Sequence, residues 1–356
     1  MPRIAVVVNH KFLSLLEESK KMIKYFRSRG CGCRLYNADD FLPYKPIPRR
    51  EIREYDLVIF FSPFQRIEVV HSRYLPLEKT ISYYVVEGIA KHIEIHRRLL
   101  EKQVIVTPSN FSKQCIEESG FKVDRVIPHI ADPDPDIDYD YGREWRNKYP
   151  RDKKILLYVG NPVRRKGLPE LRKAVEILGR RRRDFIVVLH TADQPRLAGY
   201  SVKQLEHPNI VLELEYGRIP RSRVLGKILY ADYYIHPAKS EGFGLPVLEA
   251  LQLGTPVIAV DAPGVNEIVN ERNAFIAPSR GVEYADYPDP ARALITFKMA
   301  KYDPRDLADV IDQALDAKSD ELYNKVAEGW RTVEKYRDTY KEFISIAEKI
   351  HSGVTG

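Results

Sequence analysis

Short apolar runs alternate with amphipathic stretches along the whole chain. In the first half, five runs have the length and composition of strands: residues 4–8, 34–36, 57–61, 81–86 and 104–106. Several are continuous runs of valine, isoleucine, leucine and phenylalanine, a pattern that is typical of strands buried on both faces. Amphipathic segments such as residues 15–29 lie between them. The pattern therefore predicts a parallel sheet covered by helices.

A second alternation of the same kind starts at Lys154, after a stretch at residues 130–141 that is rich in proline and aspartate. The predicted strands are residues 155–159, 185–189, 210–214, 233–236 and 256–260, and the predicted helices are residues 168–178, 221–230 and 246–253. We read the stretch at 130–141 as a linker or exposed loop between two domains. The fold class is then α/β, with two Rossmann-like, doubly wound parallel-sheet domains facing across a cleft.

The predicted domains are residues 1–148 at the N-terminus and residues 149–330 after the linker. Residues 328–350 have one long helical pattern with no strand after it, so we expect the segment 331–356 to cross back to the N-terminal domain. Residues 281–302 lack a clear period, and we expect an insertion there with one short helix.

The amino-acid composition limits the class of protein and its expected location in the cell. The charge of 57 − 50 = +7 and the even spread of apolar and charged residues indicate a globular protein that favours anionic partners. No apolar run approaches the roughly 20 residues of a membrane span. We expect no signal peptide, because the chain enters a strand pattern at once. Three cysteines exclude a disulfide framework, so we expect a cytoplasmic protein, and its many charged residues hint at a thermophilic source.

The segment HPAKSEGFGLPVLEALQLGTPVIAVDAPGVNEI carries the most specific chemistry. A strand is predicted to end near His236, and a loop with Gly242 and Gly244 follows. Pro246 suits the first turn of a helix, and Gly254 suits the position just after its end. The helix start directs backbone N–H groups and the positive end of its dipole towards the strand ends. This arrangement is a ready phosphate site.

Two glutamates flank the proposed phosphate site, eight residues apart. Glu241 precedes the loop, and Glu249 lies about one turn into the helix. Carboxylates accept hydrogen bonds from sugar hydroxyls, and a nucleotide sugar has hydroxyls on both sides of its diphosphate. From spacing alone, the alternative that both glutamates only surround a helix start is equally well supported.

The segment SEGFGLPVLEA closely resembles the Glu-x7-Glu signature of retaining glycosyltransferase family 4, whose fold is GT-B. The wider segment from ILYADYYIHPAK to GVNEIV, the segment ILLYVGNPVRRKG, and the segments VIVTPSNFSKQ and RVIPHIAD are also similar to that family. The likeness is close over most of the second half and loose over the first.

The resemblance implies roles for particular residues. Glu249 would hold the ribose hydroxyls, and Glu241 would contact hydroxyls of the transferred sugar. The backbone around Gly242, Phe243, Gly244 and Leu245 would bind the diphosphate. Lys166 would neutralise the departing phosphate, which is the main catalytic work available at such a site. The resemblance implies no metal and no cofactor beyond the nucleotide sugar.

Two positions of the candidate site depart from the family pattern. Asn161 stands where the family commonly has an arginine. Arg164 or Arg165 would then supply the missing positive charge. The alternative is that both arginines belong to a solvated basic loop. Glu87, in VVEGIA, stands where the family often has a histidine that touches the donor sugar. Glu87 is therefore a candidate contact for the donor or for the acceptor, or else inert.

Other motifs favour structural readings. The alternating aspartates Asp132, Asp134, Asp136 and Asp138 favour a solvated linker over a metal site. His92 and His96 have a zinc-binding spacing on a predicted helix, but no third ligand is evident. The arginine run at residues 180–183 favours a solvated helix end over a nucleic-acid patch. The basic residues of the N-terminal helix favour a solvated face over contact with a peripheral membrane surface.

We therefore expect a retaining, metal-independent hexosyltransferase that moves a sugar from a nucleoside diphosphate sugar to an acceptor hydroxyl. The acceptor is left open among a sugar, a lipid-linked glycan and a protein. Two alternatives remain: a catalytically silent nucleotide-sugar-binding protein, and a GT-B epimerase or phosphorylase. Nucleic-acid binding is the weakest reading.

Overall fold

The computed structural model describes residues 1–41, 49–286 and 294–352. These residues form two compact units: Met1–Asp132 together with Tyr336–Gly356, and Pro133–Lys335. The first unit therefore takes in the C-terminal segment, and the second begins before the predicted boundary at residue 148. The reason is a helix at Tyr139–Arg146, which packs within the second unit so closely that a Cβ on Gly142 would lie 2.5 Å from the Gly226 carbonyl oxygen.

The first unit has a six-stranded parallel sheet. Its strands are β1 Arg3–Val8, β2 Gly32–Asn37, β3 Leu57–Pro63, β4 Thr80–Val85, β6 Val104–Thr107 and β7 Arg125–Val126, and β5 Gly88–Ala90 is a short strand after β4. The order across the sheet is β2-β1-β3-β4-β6-β7. Its α-helices are α1 Leu13–Ser28, α2 Arg49–Ile52, α3 Arg66–Val69, α4 Arg97–Leu100, α5 Asn110–Glu118 and α13 Lys341–His351. Phe343 of α13 packs with Phe26 of α1 in the core, which explains why the chain returns here.

The second unit has another six-stranded parallel sheet. Its strands are β8 Lys154–Val159, β9 Phe185–His190, β10 Ile210–Glu213, β11 Tyr233–His236, β12 Val257–Val260 and β13 Ala274–Ala277, in the order β10-β9-β8-β11-β12-β13. Its α-helices are α6 Tyr139–Arg146, α7 Leu168–Leu178, α8 Pro195–Ala198, α9 Arg221–Tyr230, α10 Leu245–Leu253, α11 Pro304–Leu315 and α12 Ser319–Glu334. The inner strands are buried along almost their whole length, as their continuous apolar runs predicted.

The described part of the predicted insertion at residues 281–302 contains no helix. The described part contains two antiparallel strands, β14 Val282–Asp286 and β15 Ile295–Ala300. Residues 287–293 of the predicted insertion lie outside the described residues. The segment ITFKM in β15 alternates apolar and polar residues, which is the strand signal that the sequence offered.

The C-terminal segment is two helices rather than the one predicted. Helix α12 ends at Glu334 and α13 begins at Lys341. Between them, Asp338 accepts hydrogen bonds from Tyr25 and Arg29 of the first unit. The side chain of Tyr340 is fully buried in the core of the first unit. These contacts place the segment after residue 335 in the first unit, to which residues 331–356 were expected to return.

The minor motifs have structural partners. Asp138 accepts a hydrogen bond from the Tyr141 N–H and so caps α6, and Asp132 pairs with Lys24. Arg181 pairs with Asp309 on α11, and both Arg181 and Arg182 pair with Asp312 of the same helix. His92 and His96 do not share a helix, because His92 has a φ of 54° and a 3-10 turn follows it. Among the described helices, none combines the length and the apolar character needed to cross a bilayer.

Candidate active site

The loop between β11 and α10 has the form that the sequence predicted. The strand ends at His236, and α10 begins at Leu245 with Pro246 in its first turn. Gly244 has a φ of 105°, a conformation that a side chain with a Cβ rarely adopts. In α10 the Val247 and Leu248 N–H groups donate to the Gly244 carbonyl oxygen, and Pro246 has no N–H, so the amides that face a candidate anion are those of the residues before Pro246.

Glu241 is the centre of a buried cluster of charges. Its carboxylate pairs with Lys166 and with Arg165, whose Nη1 lies 2.9 Å from Glu241 Oε2. Arg165 Nη1 also donates to the Ser240 carbonyl oxygen at 3.0 Å. His236 Nε2 lies 3.1 Å from Glu241 Oε1. The turn after β8 and the loop after β11 are thus joined by side chains 75 or 76 residues apart in sequence.

Electrostatics fixes the protonation states in this cluster. Burial alone would raise the pKa of the Glu241 carboxyl, but Lys166, Arg165 and His236 outweigh burial and hold that pKa well below its usual range. Burial lowers the pKa of His236, and its effect exceeds the opposing effect of Glu241. At neutral pH the carboxylate is therefore ionised and the imidazole neutral. Two cations and one anion leave a net charge of 2 − 1 = +1, which suits an incoming anion.

Glu249 has a partner that the sequence did not reveal. Its carboxylate pairs with Arg221, the first residue of α9, and its side chain is only 9% exposed. Arg221 and Glu249 are 28 residues apart and lie on different helices. No short-range pattern connects the two, and only the packing of α9 beside α10 brings them together.

The turn Arg164–Lys166 ends at Gly167, which has a φ of 67°. A Cβ on Gly167 would lie 2.1 Å from the Pro237 carbonyl oxygen and 2.6 Å from Tyr302 Oη. The turn with Lys166 therefore packs directly against the backbone of the loop that carries Glu241. Only glycine combines this backbone conformation with this contact.

We expect Gly167→Ala to lower the free energy of unfolding by about 2–4 kcal/mol, from backbone strain and overpacking together. Urea unfolding followed by circular dichroism measures the change. Gly32→Ala is the control, because a Cβ there would meet only Arg3 Cγ at 3.5 Å. A loss at Gly167 no larger than the loss at Gly32 would contradict the close packing of the two loops.

The other predicted residues are divided between the units. Arg164 is exposed, whereas Arg165 pairs with Glu241, so of the two arginines it is Arg165 that shares this carboxylate with Lys166. Asn161 follows β8, and its carbonyl oxygen accepts a hydrogen bond from Tyr158. Residues 242–245 form the bend before α10. Glu87 lies in the first unit, between β4 and β5, and is half-buried.

Three buried polar atoms at the carboxyl edge of the second sheet have no hydrogen-bond partner among the described residues. They are Ser240 Oγ, His190 Nε2 and Thr191 Oγ1. Buried polar atoms are nearly always paired in folded proteins. Ser240 is adjacent to Glu241 in the loop after β11, whereas His190 and Thr191 lie at the end of β9. In open α/β sheets the ligand crevice lies at the carboxyl ends of the strands.

Three nearby side chains of the kinds that bind metals surround the ammonium of a lysine. His190, Glu213 and Glu215 have ligand atoms within 4.8 Å of one another. The ammonium of Lys227 is fully buried, 2.6 Å from Glu213 Oε2 and 2.7 Å from Glu215 Oε2. The lysine supplies the positive charge that a metal would supply, so this group carries no metal proposal.

The folds of the two units identify the fold class of the protein. Two parallel-sheet α/β units match GT-B glycosyltransferase structures, as predicted. HepE from Anabaena in complex with UDP aligns with a TM-score of 0.67 and 14% identity, over 99% of this chain and 100% of that one. At this identity the likeness establishes the fold alone.

The sequence comparisons find similarity to glycosyltransferases over part of the chain. Residues 143–287 match the family model described as glycosyl transferases group 1. A teichuronic acid biosynthesis glycosyltransferase, TuaC, of Bacillus subtilis (strain 168) is 31% identical over 134 residues, which are 38% of this chain and 31% of that protein. The D-inositol 3-phosphate glycosyltransferase of Pseudarthrobacter chlorophenolicus is 26% identical over 302 residues, 71% of this chain and 70% of that protein. Together with the fold, these matches support a group 1 glycosyltransferase.

Proposed function

We propose that the protein is a retaining glycosyltransferase that moves a sugar from a nucleoside diphosphate sugar to an acceptor hydroxyl without a metal ion. One observation carries the proposal. Lys166 and Arg165 both pair with the buried carboxylate of Glu241, in the loop that leads into α10. Two cations from the turn after β8 are thus held on the loop before a helix start, and cations and helix N-terminal amides are the groups that stabilise a departing diphosphate.

In this proposal, residues 242–245 and the start of α10 bind the diphosphate. Lys166 and Arg165 then shift part of their contact from Glu241 to the phosphate oxygens. Glu241 turns one carboxylate oxygen to a hydroxyl of the transferred sugar. Glu249, held in place by Arg221, accepts hydrogen bonds from the ribose hydroxyls.

The chemical step that we propose takes place on one face of the sugar. The bond between the anomeric carbon and the phosphate oxygen breaks, and its electron pair goes to the diphosphate. The acceptor oxygen forms its bond to the anomeric carbon on the same face. The acceptor proton passes to the departing phosphate oxygen, so no protein base is required. The contribution of the protein is to stabilise the charge that develops on the phosphate.

The test is nucleotide release from a panel of UDP-, GDP- and ADP-sugars, with and without candidate acceptors. We expect release that increases with an acceptor and that persists in EDTA. Nuclear magnetic resonance of the product gives its anomeric configuration, which we expect to match that of the donor. Inversion would contradict the retaining mechanism, and loss of activity in EDTA would contradict metal independence.

The alternative of a catalytically silent binding protein rests on Asn161 and Glu87. The position of Arg165 beside Glu241 favours an active enzyme, because it supplies the second cation that Asn161 lacks. Tight nucleotide binding without release from any donor would support the silent protein. Turnover without an acceptor to a new sugar isomer or a sugar phosphate would support an epimerase or a phosphorylase.

A further inference from the structure

Lys239 is a buried cation that the proposed chemistry does not use. It lies two residues before Glu241, and its side chain is only 6% exposed. Its ammonium lies 3.0 Å from Glu170 Oε1 on α7 and also pairs with Glu283 on β14. A buried ammonium is costly unless it is paired, so these two carboxylates are required for the observed position of Lys239.

The backbone of Lys239 joins two structural elements. Its N–H donates to the Arg165 carbonyl oxygen at 2.7 Å, and its own carbonyl oxygen accepts from the Ala300 N–H at 2.7 Å. Residue 239 therefore lies between the turn with Arg165 and the end of β15. Its side chain reaches the other strand of the same hairpin at Glu283.

Tyr302, two residues after the end of β15, also contacts the same two loops. Its hydroxyl donates to the Pro237 carbonyl oxygen at 2.8 Å, and it is 3.4 Å from the Gly167 carbonyl oxygen. The ring is buried. We refer to Lys239, Glu170, Glu283, Ala300 and Tyr302 as the Lys239 clamp.

The clamp explains how two positive side chains are kept close together. Arg165 and Lys166 lie side by side, and both must stay near the start of α10 for an anion to bind. The contacts of Glu241 with both cations are made by side chains, and a diphosphate would displace these contacts in part. The backbone bonds of Lys239 and the bond from Tyr302 do not involve the charged ends of these side chains, so they persist when the anion enters.

We propose that the β14–β15 hairpin is a positioning element of the donor site, and that Lys239 and Tyr302 are positioning residues that fix the loop 237–241 against the turn 164–167. The inference rests on the proposed function, because it takes the Lys166 cluster as the diphosphate site. It assigns a role to an insertion that neither the sequence pattern nor the family match explained. Groups held in place before binding cost less to order when the ligand arrives.

Calorimetric titration with UDP, GDP and ADP tests the clamp, at a temperature where every variant is folded by circular dichroism. We expect Lys239→Met to raise the dissociation constant of the nucleotide that wild type binds best by about tenfold, and Glu283→Gln and Tyr302→Phe by about threefold to fivefold. Lys239→Arg should recover part of the loss. In the double variant Lys239→Met/Glu283→Gln, the dissociation constant should be close to that of Lys239→Met alone, because the ion pair is already broken.

Glu176→Gln is the matched control. Glu176 lies on α7 near Glu170 in sequence, but it is solvent-exposed and pairs with Arg172 and Arg180, outside the clamp. We expect wild-type nucleotide affinity from it. Where a donor is turned over, the clamp variants should raise KM for that donor more than they lower kcat.

The outcomes separate the two proposals. Variants that unfold at lower temperature yet bind nucleotide as wild type would reduce the clamp to a structural role and overturn the inference. The wild type could bind nucleotide but release none from any sugar donor, while the clamp variants bind nucleotide more weakly. That result would support the clamp and contradict the proposed transferase activity. A wild type that binds no nucleoside diphosphate would overturn both.

Discussion

Replacing Lys166 with alanine should lower nucleotide release from a sugar donor by about 100-fold or more. Removing one group that stabilises a developing oxyanion costs about 2.7–4 kcal/mol in transition-state free energy. Lys166 is the ammonium nearest to Glu241 beside the start of α10, and Arg165 remains to hold part of the diphosphate charge. Steady-state kinetics with the best donor measures the effect, which should fall mainly on kcat.

Lys173→Ala is the control for this prediction. Lys173 lies on α7, shortly after the turn with Lys166, and it is exposed. The substitution removes the same charge from the same region, so it reports any general effect of lower net charge on an anionic donor. Equal losses in the two variants would contradict a specific role for Lys166.

Replacing Glu241 with glutamine should cost about 3–5 kcal/mol of stability, because it leaves Arg165 and Lys166 buried without their anion. Chemical unfolding at neutral pH measures the loss. The pKa of Glu241 is lowered in the folded protein, so its ionised form stabilises the fold above its unfolded pKa near 4.5. That contribution disappears as the pH falls through the lower folded value.

The difference in stability between wild type and Glu241→Gln should therefore be constant near neutral pH and should shrink only in acid. Glu176→Gln, at an exposed pair, should change stability by less than about 1 kcal/mol. A Glu241→Gln variant as stable as wild type would show that the cations do not depend on this carboxylate. Nucleoside diphosphate added to that variant should restore part of the lost stability, because the phosphates replace the missing anion.

The sequence predicted most of the scaffold for a clear physical reason. Continuous apolar runs such as residues 57–61 report strands buried on both faces, and the structure has β3 at this place. The two glycines and Pro246 predicted the bend before α10, because each residue type suits one backbone conformation. Local chemistry thus determined the elements and the helix start that faces the site.

The side-chain contacts across the site could not be predicted from local sequence patterns. Arg221 and Glu249 belong to different helices, and Lys239 meets Glu283 on β14, within residues 281–302, where the sequence predicted an insertion with one short helix and no strands. Such pairs follow from how strands and helices pack, and no period in the sequence reports them. The alternation in ITFKM was a usable signal for β15, but it did not predict which loop that strand would contact.

The most direct test of the central claim is a crystal structure with the nucleoside diphosphate that the protein binds best. The account predicts phosphate oxygens within hydrogen-bonding distance of the backbone N–H groups at residues 242–245 and of the Lys166 ammonium, with the ribose hydroxyls on Glu249. Phosphates bound anywhere else in a fully occupied complex would contradict the donor site described above.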